Sequence, residues 1–254
     1  MVKVGPSEAN LALHREASGR ARLHAVSPEE LAQILAAHHL YLETNRKQGK
    51  RGNLSATDLT GCDLSGKSLR RVRLDHALLR NVNLAHANLQ RANLIGADLR
   101  GACLTGANLE AARISGARLE AANFERAVLV GADLEFAIMM KAVLRHARLR
   151  GADMSGVDLE GADLREVNLR GASLRQARLD RADLRAARLG GVFLNGASAR
   201  EADLRGAYLR LARLDGADLS AADLRDTQGL VRAQLASALC LTDTRLPAEL
   251  SAER

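Results

Sequence analysis

The side chains that could do acid–base chemistry in this chain recur at a fixed interval. Four aspartates lie 20 residues apart, and each is followed two positions later by an arginine. A carboxylate beside a guanidinium stays ionised, which favours a solvated, charge-paired surface over a general acid or base. The aspartates are Asp163, Asp183, Asp203 and Asp223, and the arginines are Arg165, Arg185, Arg205 and Arg225.

Nucleophiles and soft metal ligands are equally sparse. Ser115 and Ser155 have no evident His and Asp to support them. His86 and Cys103 are two soft ligands without a third or fourth, and four is the number that a structural zinc site needs. The sequence therefore predicts no catalytic residue, no metal site and no cofactor, and we expect the protein not to be an enzyme.

A period of five residues organises most of the chain. Of the 35 positions that fall every fifth residue from Leu54 to Leu224, 30 hold Leu, and the position two before each centre is Ala or Val from Val72 to Ala222. This period fits neither a helix nor a plain strand, so the unit must turn the backbone once per repeat and bury two residues of five. The other five centres are Ile114, Phe124, Met139, Met154 and Ala199.

The repeat resembles the pentapeptide-repeat family. The blocks ADLRG at residues 97–101 and ADLRE at 162–166 carry the resemblance, which extends over about 70% of the chain. It implies an all-β solenoid, a right-handed quadrilateral β-helix with four pentapeptides per coil. The recurrence of arginine every 20 residues from Arg145 to Arg225 is what such a coil predicts.

Both flanks of the repeat are typical of caps. Ser27, Pro28 and Glu30 form a helix start that precedes an apolar stripe, so we expect an N-terminal capping helix over residues 27–50. Residues 1–26 lack periodicity and are predicted to be flexible. The β-helix should span residues 52–226, and residues 227–254 should form a short helical C-terminal cap and tail. The family resemblance implies a homodimer through this C-terminal end.

The composition of the chain indicates its cellular compartment and the kinds of partner it can have. The chain has 254 residues, a formal net charge of +7 and three cysteines. An odd cysteine count favours a reducing compartment. We find neither a signal-peptide pattern nor an apolar run long enough to span a membrane, so we expect a cytoplasmic protein without a transmembrane segment.

The positive charge concentrates on one predicted side of the rod. If a coil takes 20 residues, the side that carries Leu69, Leu89 and every twentieth residue up to Leu209 has eight arginines and one acid, Glu110. We call this side the basic face. It could attract an acidic protein or another polyanion, or it could serve solubility alone. Its arginines are Arg70, Arg71, Arg91, Arg148, Arg150, Arg170, Arg188 and Arg210.

Six apolar residues interrupt the polar exterior within one predicted coil, and we call them the apolar belt. A belt of this kind is a candidate contact for a partner. The alternatives are that a terminal segment folds over it or that the coil is locally distorted. Its members are Val128, Val130, Phe136, Ile138, Met140 and Val143.

These features favour a non-enzymatic binding scaffold that contacts an unknown protein partner through its exposed faces. One alternative, implied by the resemblance, is a DNA gyrase or topoisomerase modulator of the quinolone-resistance type. Such proteins resemble negatively charged DNA, whereas this chain has a pI near 9.9. A second alternative is an electrostatic binder of nucleic acid or another polyanion through the basic face.

Overall fold

The helices and the two paired strands of the described residues lie near the two ends of the chain. A computed structural model describes residues 23–239 and 241–251. Its named elements are strand β1 (His24–Ala25), helix α1 (Pro28–Glu43), strand β2 (Thr57–Asp58), helix α2 (Arg232–Ala236) and helix α3 (Ala248–Ser251). Cys240 and residues 1–22 and 252–254 lie outside the described residues.

The centre of the chain is a stack of 20-residue coils. Parallel bridges join each residue before a centre to the residue 20 positions later, from Asn53 with Arg73 to Tyr208 with Gln228. Two backbone hydrogen bonds accompany a typical bridge; for Asp98 with Arg118 they are Leu99 N–H to the Arg118 carbonyl at 2.7 Å and Arg118 N–H to the Ala97 carbonyl at 2.9 Å. The predicted coil of four pentapeptides is confirmed, and at about 4.8 Å per coil the stack is roughly 40 Å long.

The core consists of the two inward positions of each pentapeptide. Every centre from Leu54 to Leu224 is at most 4% exposed, and every Ala or Val two positions before a centre from residue 72 onward is at most 3% exposed. Alternating large and small side chains fill the interior of each coil. Ala199 is the exception in size, and the neighbouring leucines line a cavity of about 10 Å³.

The corners of the coils hold the second residue after each centre in the left-handed region. Glycine is not required there, because Ala121 and His146 adopt the same conformation with φ of 56° and 58°. A large corner side chain instead leans over the corner of the following coil. The ring of Phe136 lies over Gly156, where an added Cβ would be 2.5 Å from its Cδ1 atom.

Helix α1 packs on the N-terminal end of the core. Ser27 Oγ accepts the Glu30 N–H at 3.1 Å and caps the helix, as predicted. Leu31, Ile34 and Leu35 contact the core, and buried His38 accepts the Gly52 N–H through Nδ1 at 3.0 Å. The helix ends at Glu43, before the end of the range predicted for it, residues 27–50.

The boundary of the segment predicted to be flexible, residues 1–26, needs correction. His24 and Ala25 form β1, which pairs in parallel with Thr57 and Asp58 of β2. Sequence periodicity missed this strand because two residues are too few to show a period.

The C-terminal segment continues the stack without the five-residue pattern. The Leu224 N–H donates to the Arg245 carbonyl at 2.8 Å, and the Arg245 N–H donates to the Ala222 carbonyl at 2.9 Å. Gln234 of α2 donates through Nε2 to the Leu209 and Ala212 carbonyls. These bonds occupy backbone groups that the last coil would otherwise leave unpaired.

Among the described residues, no helix has both the length and the apolar character needed to cross a membrane.

Candidate functional site

The stacked coils give the protein four flat faces. We name three of them by their first centre, the Leu54 face, the Leu59 face and the Leu64 face, and the fourth is the basic face, which begins at Leu69. The bridges between residues 20 apart place every candidate side chain on the face that its position in the repeat predicts. Charges on different faces can therefore be compared position by position.

The Leu64 face carries a ladder of ion pairs. Arg165 donates from Nε to Asp163 Oδ1 at 2.8 Å and from Nη2 to Asp163 Oδ2 at 2.7 Å, and its Nε lies 3.6 Å from Asp183 Oδ2 in the next coil. The bidentate bond from Arg165 holds the pKa of Asp163 below its usual range. The pattern repeats at Arg185, Arg205 and Arg225.

The Leu59 face is paired as well. Asp98 receives Arg80 and Arg100, each at 2.7 Å. Arg178 contacts three carboxylates, among them Asp158, which is only 5% exposed and whose pKa is raised chiefly by that burial. Every arginine on these two faces except Arg126 is paired with a carboxylate of the protein, and the predicted charge-paired surface around Asp163 to Asp223 is confirmed.

The basic face differs from both. None of its eight arginines makes an ion pair with any carboxylate in the part of the chain that the structure describes. Seven of them are exposed, and Arg71 is half-buried. The one acid on the face, Glu110, accepts a hydrogen bond from Gln90 at 2.9 Å rather than from an arginine.

The arginines of the basic face form two groups along the rod. Arg70, Arg71 and Arg91 line an open groove of about 160 Å³ together with Gln90 and Glu110. The second group begins three coils further on, and we call it the C-terminal arginine cluster. Its members are Arg148, Arg150, Arg170, Arg188 and Arg210.

The apolar belt is not one surface. Val128 and Val130 lie half-buried on the basic face between its two arginine groups, whereas Phe136 occupies a corner and is 45% exposed. Ile138 is only 6% exposed, between Arg118 and Asp158 of the neighbouring coils. The prediction that Ile138 forms part of an exposed contact is wrong, because stacking covers the middle of the strand. Half-buried Met140 lies on the Leu59 face, and half-buried Val143 lies on the Leu64 face.

Two features of the Leu54 face were missed from the sequence. The ring of Phe193 lies between Arg175 and Arg213, whose guanidinium carbons are 4.3 Å and 5.4 Å from its centroid, within cation–π range. Glu135 has a raised pKa, first from burial and then from Asp153 and Asp133 beside it. The signal for both was a spacing of 18 or 20 residues, which brings side chains of neighbouring coils together.

The residues with possible metal or catalytic chemistry stay apart. Across residues 23–239 and 241–251, no three His, Cys, Asp or Glu side chains are grouped so as to hold a metal ion. His86 leans over Gly106, and Cys103 Sγ lies 3.6 Å from the hydroxyl of Thr105. Ser115 donates to Asp133 at 2.7 Å, and Ser155 donates to Asp153 at 2.7 Å, without a histidine to act as a base.

The protein is a flat-sided parallel solenoid, and its repeat defines its class. The family model for pentapeptide repeats matches in eight copies, over residues 53–77, 68–106, 107–145, 142–181, 177–216 and 194–228. This chain belongs to the pentapeptide-repeat family, whose fold is the quadrilateral β-helix.

Solved structures of the same family resemble the chain to different degrees. HetL from Nostoc sp. strain PCC 7120, involved in heterocyst differentiation regulation, is 31% identical, with 87% of this chain and 95% of that chain covered and a TM-score of 0.50. Full-length QnrB1, a plasmid-mediated fluoroquinolone resistance protein, is 19% identical over 77% of this chain and 96% of its own, with a TM-score of 0.46. A protein of the Arabidopsis thaliana thylakoid lumen is 36% identical over 42% and 68%, with a TM-score of 0.27. No curated protein matches the chain.

Proposed function

We propose that this protein is a non-enzymatic scaffold that binds an acidic partner protein through its basic face. The observation that carries the proposal is the contrast between faces. Every arginine on the Leu59 and Leu64 faces except Arg126 lies within ion-pair distance of a carboxylate, whereas the eight on the basic face have none among the described residues. An exposed, unmatched guanidinium can form its bidentate bond with a carboxylate supplied from outside.

The rigidity of the solenoid favours such a role. The backbone of each coil is hydrogen-bonded to the coils before and after it, so the guanidinium-bearing strands are fixed before a partner arrives. A preorganised surface loses little conformational entropy on binding. The proposal also includes the right-handed path of the coils, capping roles for α1 and the C-terminal segment, and a cytoplasmic location.

The test is a quantitative pull-down from extract of the source cell with the wild type and with Arg148→Glu/Arg150→Glu. We expect the double variant to lose the partner, and we expect retention to fall as salt rises. Arg113→Glu/Arg126→Glu is the matched control, because both arginines are exposed, outside the basic face and without an ion pair among the described residues. Equal loss from both double variants would show that net charge, and not this face, is recognised.

The two alternatives are tested on the same samples. An electrostatic polyanion binder would bind duplex DNA with a steep salt dependence. Its case is weakened by the near absence of aromatic platforms, since Tyr208 is the aromatic residue of the basic face and is half-buried. A gyrase-modulating protein would change supercoiling without binding DNA itself.

A further inference from the structure

The ladder on the Leu64 face shows what a guanidinium in this fold binds. Each ladder arginine stands directly after a centre, and its carboxylate stands directly before the same centre. Arg185 donates to Asp183 at 2.9 Å and 2.7 Å, and it also lies 3.6 Å from Asp203, one coil further on. Arg165, Arg185 and Arg205 therefore each lie between two carboxylates one coil apart.

The basic face repeats the arginines of this ladder without its acids. Arg150, Arg170 and Arg210 stand directly after their centres, as the ladder arginines do. The residues directly before the same centres are Arg148, Asn168 and Tyr208, none of which is a carboxylate. On the Leu64 face, aspartates directly before the centres complete the ladder. On the basic face, the equivalent positions hold no carboxylate, so a ligand can supply the carboxylates.

The corner beside the C-terminal arginine cluster leaves the face open to a flat partner. Gly131, Gly151, Gly171 and Gly191 follow one another at this corner, and a Cβ at any of them would meet no atom within 4 Å. The left-handed backbone alone does not explain these glycines, because other corners carry Ala, Arg or His. No side chain therefore projects along this edge in the coils of Arg150, Arg170 and Arg188, whereas in the coil of Arg210 the same corner carries exposed Leu211.

The spacing of the arginines selects among acidic partners. Successive coils are about 4.8 Å apart, which is also the spacing of neighbouring strands in any β-sheet. The phosphates of each duplex strand rise about 3.4 Å per nucleotide along the helix axis, on a path that winds away from a flat surface. A column of carboxylates across adjacent strands has the spacing of the coils, and every coil of the cluster carries an arginine, with Arg170 and Arg210 directly after their centres and Arg188 directly before its centre.

We infer that the C-terminal arginine cluster binds a β-sheet surface of the partner protein that presents one Asp or Glu per strand in a column. This inference rests on the proposed function and specifies the partner's chemistry. Each partner carboxylate would take the place that Asp183 takes beside Arg185, between the guanidiniums of two coils.

The experiment needs a probe with carboxylates at this spacing, and the protein itself can provide it. Replacing Arg148, Arg150, Arg170, Arg188 and Arg210 by Glu gives a charge-reversed face on the same solenoid, with folding checked by circular dichroism. Binding of the wild type to this probe is compared by fluorescence anisotropy with binding to poly-L-glutamate and to a DNA duplex. We expect the charge-reversed probe to bind at least about tenfold more tightly per carboxylate than poly-L-glutamate at physiological salt.

Two single substitutions in the wild-type protein, tested against the charge-reversed probe, make the test more specific. Asn168→Asp would supply Arg170 with an internal carboxylate in the ladder geometry, so we expect it to weaken probe binding about tenfold. Asn108→Asp adds the same charge at the equivalent strand position. The residues directly after the centres of its own coil and of the preceding coil are Glu110 and Gln90 instead of arginine, so probe binding should fall less than twofold.

The outcomes distinguish the inferred partner surface from the proposed function of the basic face. Equal binding of poly-L-glutamate or DNA, or equal effects of Asn168→Asp and Asn108→Asp, would overturn the strand-spaced partner and leave the basic face as a contact. No binding of any anionic probe would contradict the proposed function itself.

Discussion

The contact between a corner side chain and the glycine of the next coil gives the sharpest prediction. An added Cβ at Gly156 would lie 2.5 Å and 2.6 Å from Cδ1 and Cε1 of Phe136. Gly116 stands at an equivalent corner with nearly the same φ, 61° against 66°, and nothing lies within 4 Å of its added Cβ. Gly156→Ala and Gly116→Ala should therefore have the same backbone cost in stability, but only Gly156→Ala also displaces the ring of Phe136.

The magnitudes follow from these contacts. A left-handed alanine costs about 1–2 kcal/mol, and the stiffer unfolded chain offsets about 0.4–1 kcal/mol of it, so Gly116→Ala should cost roughly 1 kcal/mol. In Gly156→Ala the ring must also swing into solvent. Phe136 is 45% exposed already, so about half of the roughly 1.5–3 kcal/mol available from a fully buried Phe is lost. The expected total is about 2 kcal/mol.

The assay is equilibrium unfolding in urea, completed as a double-mutant cycle. In a Phe136→Ala background, Gly156→Ala should cost no more than Gly116→Ala, which gives a coupling free energy of about 1 kcal/mol between residues 136 and 156. Equal costs for Gly156→Ala and Gly116→Ala in the wild-type background would refute the reasoning, since the ring would then contribute nothing at the corner.

Three further perturbations test the core, the N-terminal helix and the ladder. Ala199→Leu should raise the free energy of unfolding by about 1–2 kcal/mol, because the repeat accepts Leu at equivalent centres and a small cavity lies beside Ala199; a lower urea midpoint would contradict this. Burial lowers the pKa of His38, so the unfolded chain binds more protons and stability should fall as pH drops through about 6.5. His38→Met should remove that slope in thermal melts between pH 8 and 5, along with the hydrogen bond to Gly52. The side chain of Arg205 lowers the pKa of Asp203, so its stabilisation is present above about pH 4 and is lost as pH falls further. Asp203→Asn should cost about 0.5–1 kcal/mol at pH 7 and flatten the acid limb of the stability curve.

The sequence predicted the coil because its signal is local and repeated. Inward Leu and Ala recur every five residues, and a one-residue shift would expose all of them, so the register has one solution. Strand β1 could not be predicted in the same way, because His24 and Ala25 pair with residues more than 30 positions away and show no pattern of their own.

The surface was harder to predict than the core. The basic face followed from the 20-residue spacing, but which arginines are paired depends on the carboxylates both of the same coil, as Asp163 is for Arg165, and of the next coil, as Asp98 is for Arg80. The burial of Ile138 depends on the side chains of the coils on either side, which the five-residue pattern does not specify. The packing of Phe136 over Gly156 required the direction in which a left-handed corner projects its side chain.

The four-sided coil limits how this gene could have changed in length. Loss of one pentapeptide between Arg91 and Arg148 would keep every Leu inward, so the chain would still fold. Everything downstream would turn by a quarter, however, and the basic face would be divided between two sides of the rod. Only the gain or loss of 20 residues preserves both core and surface. The interior thus tolerates insertions and deletions in steps of five, whereas a function carried by one face tolerates steps of 20.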